Sequence, residues 1–209
     1  DWDVCDMCLA TLLDRQRDWW ARKGLLYASV QHAQLGDLWL PLADGSVATQ
    51  DMDVTPDMLD LDRLAGPSQA AGPLELEGDH IRCRDPSARS PWVEAILGCP
   101  VHATIQGGSM RARAIVHDWE DWHVRAGRLE RDWLDALLRL TELLVQRSGG
   151  RYAVTQTLMR GPSDLAEAIL GPERMCLAMY DQVKELTRFL EEVTQAFLEI
   201  LDAQLVRIP

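Results

Sequence analysis

The segment Arg160-Gly161-Pro162-Ser163-Asp164 places three side chains that could act on a substrate within five residues. Arg160 can bind a substrate carboxylate through two parallel hydrogen bonds, and Asp164 is a candidate catalytic acid or base. Ser163 is a candidate substrate-binding hydroxyl, although Ser163 also suits a helix N-cap and Asp164 a first helical turn. Residues Tyr152–Met159 alternate small or apolar with polar and β-branched residues, which predicts a buried strand. Since loops at strand ends build the active sites of α/β barrels, we expect this turn to contact a ligand.

Six further polar residues are candidates for the same site. Asp85 and Glu167 are candidate catalytic acids, and the candidate substrate-binding residues are Arg84, Gln106, Ser109 and Gln156. Each has a simpler interpretation. Arg84-Asp85-Pro86 suits a plain turn, Glu167 a solvated helix acid, and Gln156 a buried amide with hydrogen-bond partners. The glycine pair between Gln106 and Ser109 allows close backbone approach to an anion, but it lacks the phosphate-loop pattern.

Among the elements that would position these residues, helices are predicted most strongly, because their apolar residues recur with helical periodicity. Apolar residues recur every three or four positions in 128–147 and 182–206, which predicts two one-sided amphipathic helices. Weaker signals predict helices over 4–22, after Ser90-Pro91, and after Gly171-Pro172. Helices on both sides of a strand indicate an α/β fold with crossover helices.

Two turn signals organise the first half of the chain. Asp44-Gly45 predicts a tight hairpin turn between 38–43 and 47–52. Residues 74–83 are either a second hairpin or a strand that leads into the turn at Arg84. The loop composition of 65–73 separates two predicted regions, an N-terminal helix and hairpin region over 1–73 and a second region over 74–209.

Residues 129–205 resemble the uroporphyrinogen decarboxylase superfamily. The core of the similarity is GGRYAVTQTLMRGPSDLAEAILGPERMCLAMYD, in which Gly161-Pro162, Leu165 and Gly171 stand where the superfamily has them. A shorter similarity covers PWVEAILGCP at 91–100. The resemblance implies a (β/α)8 TIM barrel, which needs about 250 residues. It therefore implies the front half of a barrel over 74–209, preceded by an α+β extension.

The resemblance also implies an activity. A decarboxylase-like carboxy-lyase would act on a small-molecule carboxylate without a cofactor in this segment. The alternative is a methyltransferase that works with a corrinoid protein and holds zinc through ligands in the later half of the barrel. The arginine-rich loop of the heme-pathway decarboxylases has no counterpart here, because Arg15-Gln16-Arg17 lies in a predicted helix. We therefore expect no activity on porphyrinogens.

Composition limits which binding partners and which cellular location are expected for the protein. A net charge of −12 argues against binding to nucleic acids or anionic membranes, which requires positive potential. No apolar run is long enough for a membrane span. Five cysteines do not form a disulfide framework, so we expect a reducing, cytoplasmic location. Because the chain starts at Asp1 and ends at Pro209 after a helical run, we expect a segment of a longer protein.

Metal binding and assembly are the remaining alternatives. Cys5 and Cys8 form a C-x-x-C without a second ligand pair, and His117 and His123 lack the H-E-x-x-H spacing, so no metal site is predicted. Eight tryptophans against two phenylalanines suit either a core or the anchors of an interface. A non-catalytic binding or assembly module is thus a third hypothesis, and a homodimer is one form of it.

Overall fold

The computed structural model describes residues 6–30, 36–66 and 76–209. In this part of the chain the helices are α1 (Asp6–Trp20), α2 (Leu61–Leu64), α3 (Trp92–Ile96), α4 (Trp119–His123), α5 (Arg131–Ser148), α6 (Pro162–Leu170), α7 (Pro172–Asp181) and α8 (Val183–Leu205), with a 3-10 turn at Pro56–Met58. The strands are β1 (Ala28–Val30), β2 (Met52–Val54), β3 (Leu76–Gly78), β4 (Cys83–Arg84), β5 (Val101–Thr104), β6 (Ser109–Ala112) and β7 (Ala153–Val154).

The described strands form three small sheets. β1 and β3 are an antiparallel pair, β2-β5-β6 is an antiparallel sheet of three strands, and β4 and β7 are a parallel pair. The chain is therefore mixed α/β, as predicted. None of these sheets closes into a barrel, so the front half of a TIM barrel is not confirmed. β2 and β5 lie on either side of the predicted boundary at 73/74, and the two predicted regions thus share a sheet.

The two long predicted helices are confirmed as α5 and α8. On α5 the buried face includes Trp133, Leu137 and Leu144, and on α8 it includes Val193 and Ile200. The spacing of three and four residues puts these side chains on one side of each helix, where burial in the common core stabilises them. α8 packs against α5, α6 and α7. The weaker predictions also hold, because α1, α3 and α7 lie where helices were expected.

The first predicted hairpin turn is confirmed and the second is wrong. Pro41 and Val47 form an antiparallel bridge across the turn, and Gly45 has the positive φ of 88° that such a turn requires. Over 74–83, by contrast, β3 pairs with β1 and not with β4. β4 instead pairs with β7 and runs into the polar turn after Arg84, which was the other interpretation of this segment.

The predicted strand Tyr152–Met159 is mostly not a strand. Only Ala153–Val154 pairs, in parallel with Cys83–Arg84. Farther along, the extended backbone is contacted by the fully buried Gln204 side chain of α8 and not by a neighbouring strand. Its Oε1 accepts a hydrogen bond from the Thr157 backbone N–H at 2.8 Å, and Leu158 next to it is 74% exposed. The alternating pattern therefore reflects an extended segment that lies against a helix.

No helix in the described ranges has both the length and the apolar character needed to cross a membrane.

Candidate functional site

A cleft of about 570 Å³ lies between the edge strand β6 and the helices α3, α6 and α7. Its polar lining residues are Glu94, Ser109, Arg111, Arg160 and Glu167. We call it the α3–β6 cleft. A smaller depression of about 350 Å³ follows one side of α8 and contains Glu191 as its only charged lining residue. The α3–β6 cleft is the better candidate site because charged groups of both signs converge in it from α3, β6, α6 and the turn before α6.

Glu94 is the unusual residue of this cleft. Its side chain is only 3% exposed, and its Oε1 lies 3.4 Å from the Arg160 guanidinium, a separation typical of an ion pair. The geometry of that contact is not that of a hydrogen bond, so Oε1 has no hydrogen-bond partner among the described residues. A buried carboxyl oxygen without a partner is costly in a fold, and it marks a place where a ligand group would fit.

The protonation of Glu94 follows from this burial. Loss of solvent raises the pKa of its carboxyl above the ordinary value, and the negative charge of Asp164 acts in the same direction. A backbone hydrogen bond and the charge of Arg160 lower the pKa, but they do not compensate fully. Glu94 therefore keeps its proton to a higher pH than an exposed glutamate does, as a general acid must.

We expect replacement of Glu94 by glutamine to flatten the dependence of stability on pH. Because the carboxyl pKa is raised in the folded protein, the native state binds the proton more tightly than the unfolded chain does. The stabilisation is complete below the ordinary pKa of 4.5 and is lost as the pH rises through the folded value. Urea unfolding at several pH values above 4.5 measures this slope. Glu173→Gln, at an exposed acid of the first turn of α7, is the control. An unchanged slope in Glu94→Gln would contradict the assignment.

α3 is held in place by the tryptophan that begins it. The Trp92 indole N–H donates to the Ser87 carbonyl at 2.9 Å, and the ring meets Trp133 of α5 edge to face at 5.6 Å. All five residues of α3 are buried, which is why Glu94 loses its solvent.

The loop before α3 carries backbone strain. Ala88 and Arg89 both have positive φ, at 45° and 55°, a region that costs a residue with a Cβ about 1–2 kcal/mol. The strain brings the Arg89 side chain to the Gly36 and Gly108 carbonyls, each at 3.0 Å. Gly108 has no room for a side chain there, because a Cβ would lie 2.7 Å from the Gly36 oxygen. These contacts fix the start of β6 beside α3.

Three of the nine predicted site residues line the cleft, namely Ser109, Arg160 and Glu167. Asp164 does not line it but is close enough to raise the Glu94 pKa. Ser163 is exposed, and the N-cap of α6 is Gly161, so the N-cap interpretation of Ser163 is not supported.

The remaining four predicted residues are placed elsewhere. Arg84 donates to the carbonyls of Ala65 and Gly66 at the end of α2 and stacks over the Tyr152 ring, a structural role. Asp85, Gln106 and Gln156 are exposed and do not line the cleft. The glycines after Gln106 form the turn of the β5–β6 hairpin, where the Gly108 N–H donates to Ile105.

Sequence reasoning missed Glu94 and Arg111 as site residues. Glu94 carried the signal of a first-turn helix acid, which is usually solvated. The apolar residues on both sides of it, Trp92-Val93 and Ala95-Ile96, were the signal that this acid is buried. Arg111 is an exposed residue of the edge strand β6, and nothing in the sequence around it distinguished it.

The described residues contain no group of three metal-ligating side chains. The C-x-x-C falls on Cys5, which lies outside the described residues, and on Cys8, whose side chain also lies outside them. Burial raises the pKa of the Cys99 thiol to about 12, with the charge of Glu94 adding to the effect. This thiol is therefore a poor nucleophile at neutral pH.

No protein-family model matches the sequence, and comparisons with curated proteins and with solved structures gave no match either.

Proposed function

We propose that the α3–β6 cleft binds a small carboxylate and that the protein is a carboxy-lyase related to the uroporphyrinogen decarboxylase superfamily. The observation that carries the proposal is the buried Glu94 carboxyl beside the Arg160 guanidinium. Arg160 is about half exposed and has donors left for a ligand, since its contact with Glu94 is not a hydrogen bond. Arg111 supplies a second cation on the opposite wall. Two guanidinium groups are well suited to a carboxylate.

The proposed reaction needs no group beyond the substrate and Glu94. The bond between the carboxylate carbon and the adjacent carbon breaks, CO2 leaves, and the electron pair moves onto a neighbouring carbonyl of the substrate. The neutral Glu94 carboxyl then donates its proton to the carbon, and solvent returns a proton to Glu94. A 3-oxo acid has the required carbonyl. Glu167 contributes an exposed carboxylate at the rim of the cleft, where proton exchange with solvent would occur.

The relation to the superfamily rests on the quoted sequence similarity. It is supported by the parallel pairing of β4 with β7, since the strands of such a barrel are parallel. The front half of a barrel in a longer chain therefore stays part of the proposal.

Binding of a plain carboxylate tests the proposed function. We expect 4-oxopentanoate to bind in isothermal titration calorimetry and Arg160→Gln to weaken binding at least tenfold, because it removes the charge that pairs with the ligand. Arg128→Gln is the matched control, since Arg128 is exposed and outside the cleft. Equal affinities in the three proteins would contradict the site.

Release of CO2 from acetoacetate tests the chemical step separately. We expect release above the spontaneous rate in the wild-type protein and release near that rate in Glu94→Gln, which cannot donate the proton. The same rate in both proteins would contradict the role of Glu94 while leaving carboxylate binding intact.

A further inference from the structure

The large apolar side chains that the protein exposes are concentrated in two stretches of chain. Twelve of the fourteen such side chains in the described residues fall within 13–27 and 177–206. The first stretch is the second half of α1 with the loop after it, and the second covers most of α7 and α8. Apolar side chains clustered at a surface mark a place where a partner binds.

The first cluster consists of Leu13, Trp19, Trp20, Leu25 and Tyr27, and we call it the α1 patch. Trp20 is 76% exposed and Leu25 is 89% exposed, and the rings of Trp19 and Trp20 meet edge to face. Tryptophan and tyrosine are frequent interface anchors, because each buries a large area at little cost in side-chain entropy. The α1 patch therefore has the composition of an interface.

The buried carboxylate of Asp79 holds the α1 patch in a fixed position. It accepts a hydrogen bond from the Tyr27 backbone N–H at 2.9 Å and lies 2.8 Å from the Arg15 guanidinium. The Gln16 side-chain amide donates to the Asp79 carbonyl. Both ends of the patch are thus tied to one residue. A surface that is ordered before binding loses little conformational entropy when a partner covers it.

The second cluster includes an apolar line along one side of α8, which we call the α8 stripe. Val183, Leu190, Leu198 and Leu205 recur every seven or eight residues, or two helical turns, so they lie in line beside the buried face of the helix. All four are exposed or half-buried. The depression of about 350 Å³ lies on this line. α8 thus has a second apolar side that the described residues leave uncovered.

The two surfaces carry opposite charge. Residues 13–27 contain four basic and two acidic side chains, whereas 177–206 contain two basic and six acidic side chains. Arg22 and Lys23 stand at the α1 patch, and Glu191 and Asp202 stand beside the α8 stripe. These four side chains are exposed and have no ion-pair partner among the described residues. Charge complementarity of this kind favours contact between the two surfaces.

We infer that the protein forms a homodimer in which the α1 patch of each copy docks on the α8 stripe of the other. Every chain carries both surfaces, so a twofold arrangement covers both α1 patches and both α8 stripes. A lipid surface would leave the α8 stripe uncovered, and an anionic one would have to attract a chain of net charge −12. The inference does not depend on the function proposed for the α3–β6 cleft.

The molar mass in solution tests the dimer. Because each contact is small, we expect dissociation at about 10 µM. Light scattering well above that concentration should give twice the chain mass of 23.5 kDa, and below it a monomer in which Trp20 lies in solvent. A monomer at every concentration would overturn the inference. If that monomer sedimented with phosphatidylglycerol vesicles, the α1 patch would be a lipid-binding surface.

Two charge reversals test which surfaces meet. Arg22→Glu with Lys23→Glu changes the α1 patch, and Glu191→Lys with Asp202→Lys changes the α8 stripe. We expect each pair alone to weaken dimerisation about tenfold or more, and all four changes in one chain to restore it to within about threefold of the wild type. Unchanged dimerisation in either pair, or no recovery in the fourfold variant, would overturn the contact.

The control separates the local contact from the net charge of the chain. Arg128→Glu with Arg131→Glu changes the net charge as the first pair does, at exposed residues outside both surfaces. We expect it to dimerise within about threefold of the wild type, because the two docking surfaces are intact. A loss equal to that of the first pair would overturn the α1–α8 contact in favour of general repulsion between copies.

A cross-link in the wild-type protein locates the contact even if a variant does not fold. Lys23 is one of two lysines in the chain, and a carbodiimide joins a lysine directly to a nearby carboxylate. We expect the dimer band, and not the monomer band, to contain a peptide that joins Lys23 to Glu191 or Asp202. A dimer band without a link between Lys23 and an acid of α8 would overturn the α1–α8 contact.

Discussion

Replacement of Trp92 by alanine is expected to lower the free energy of unfolding by about 3–5 kcal/mol, the largest effect of any single change considered for this chain. Trp92 is 1% exposed and is the largest of the fully buried side chains. The substitution removes its contact with Trp133 and leaves the Ser87 carbonyl without its indole donor. It also opens a cavity next to α3, which the surrounding helices fill only in part.

Urea unfolding followed by circular dichroism measures the effect. Trp20→Ala is the matched control, because Trp20 is 76% exposed and touches Trp19 alone among the aromatic rings described. Its loss should cost about 1 kcal/mol or less. Trp92→Phe separates packing from hydrogen bonding, since it keeps a ring but not the N–H. A cost for Trp92→Ala as small as that for Trp20→Ala would mean that α3 is not anchored as the structure shows.

The helices could be predicted from sequence because their cause is local. The repeat of apolar residues at Trp133, Leu137, Leu140 and Leu144 lies within α5 itself, and burial of that face requires only some partner surface. The end of α5 is equally local. Gly149 adopts the left-handed conformation, with a φ of 52°, that ends a helix. The pair of glycines in the sequence predicted that the helix ends there.

The extended segment after β7 could not be predicted correctly because its partner is remote. An alternating pattern specifies an extended backbone with one buried side, but it does not specify what pairs with that backbone. Here the Thr157 N–H is paired by a side chain 47 positions away. A strand and an extended segment against a helix thus share one sequence pattern, and the tertiary partner decides between them.

In the candidate site, too, residues with a local signal were predicted and residues that depend on remote packing were not. Arg160 was found because a turn between two elements is a common place for ligand contacts, and Glu167 was a candidate as an acid on the helix that follows this turn. Glu94 was missed because a glutamate in a first helical turn is ordinary, and its burial depends on how α5 and α6 pack around α3. Arg84 was assigned to the substrate although the carbonyls of Ala65 and Gly66 use it. An arginine in a turn has the same signal whether it binds a ligand or the end of a helix.

Replacement of Gln204 by leucine tests how the remote partner holds the segment that leads to Arg160. Gln204 is fully buried, and its amide also donates to the Ile200 carbonyl and to the Met159 sulfur. Leucine is of similar size but cannot accept from Thr157, so a buried backbone N–H is left unpaired at a cost of about 1–3 kcal/mol. The Thr157 hydroxyl is itself buried without a hydrogen-bond partner among the described residues.

Two measurements distinguish this cost from a general loss of packing in α8. Urea unfolding gives the stability difference, with Gln195→Leu on the exposed side of α8 as the control and an expected change within about 0.5 kcal/mol. Hydrogen exchange at the Thr157 amide should accelerate in Gln204→Leu more than exchange in the middle of α5, because the segment is released locally. Binding of 4-oxopentanoate should weaken as well, since Arg160 follows the released segment directly. A variant as stable as the wild type, with a protected Thr157 amide, would show that the segment is held by its pairing at β7 and not by α8.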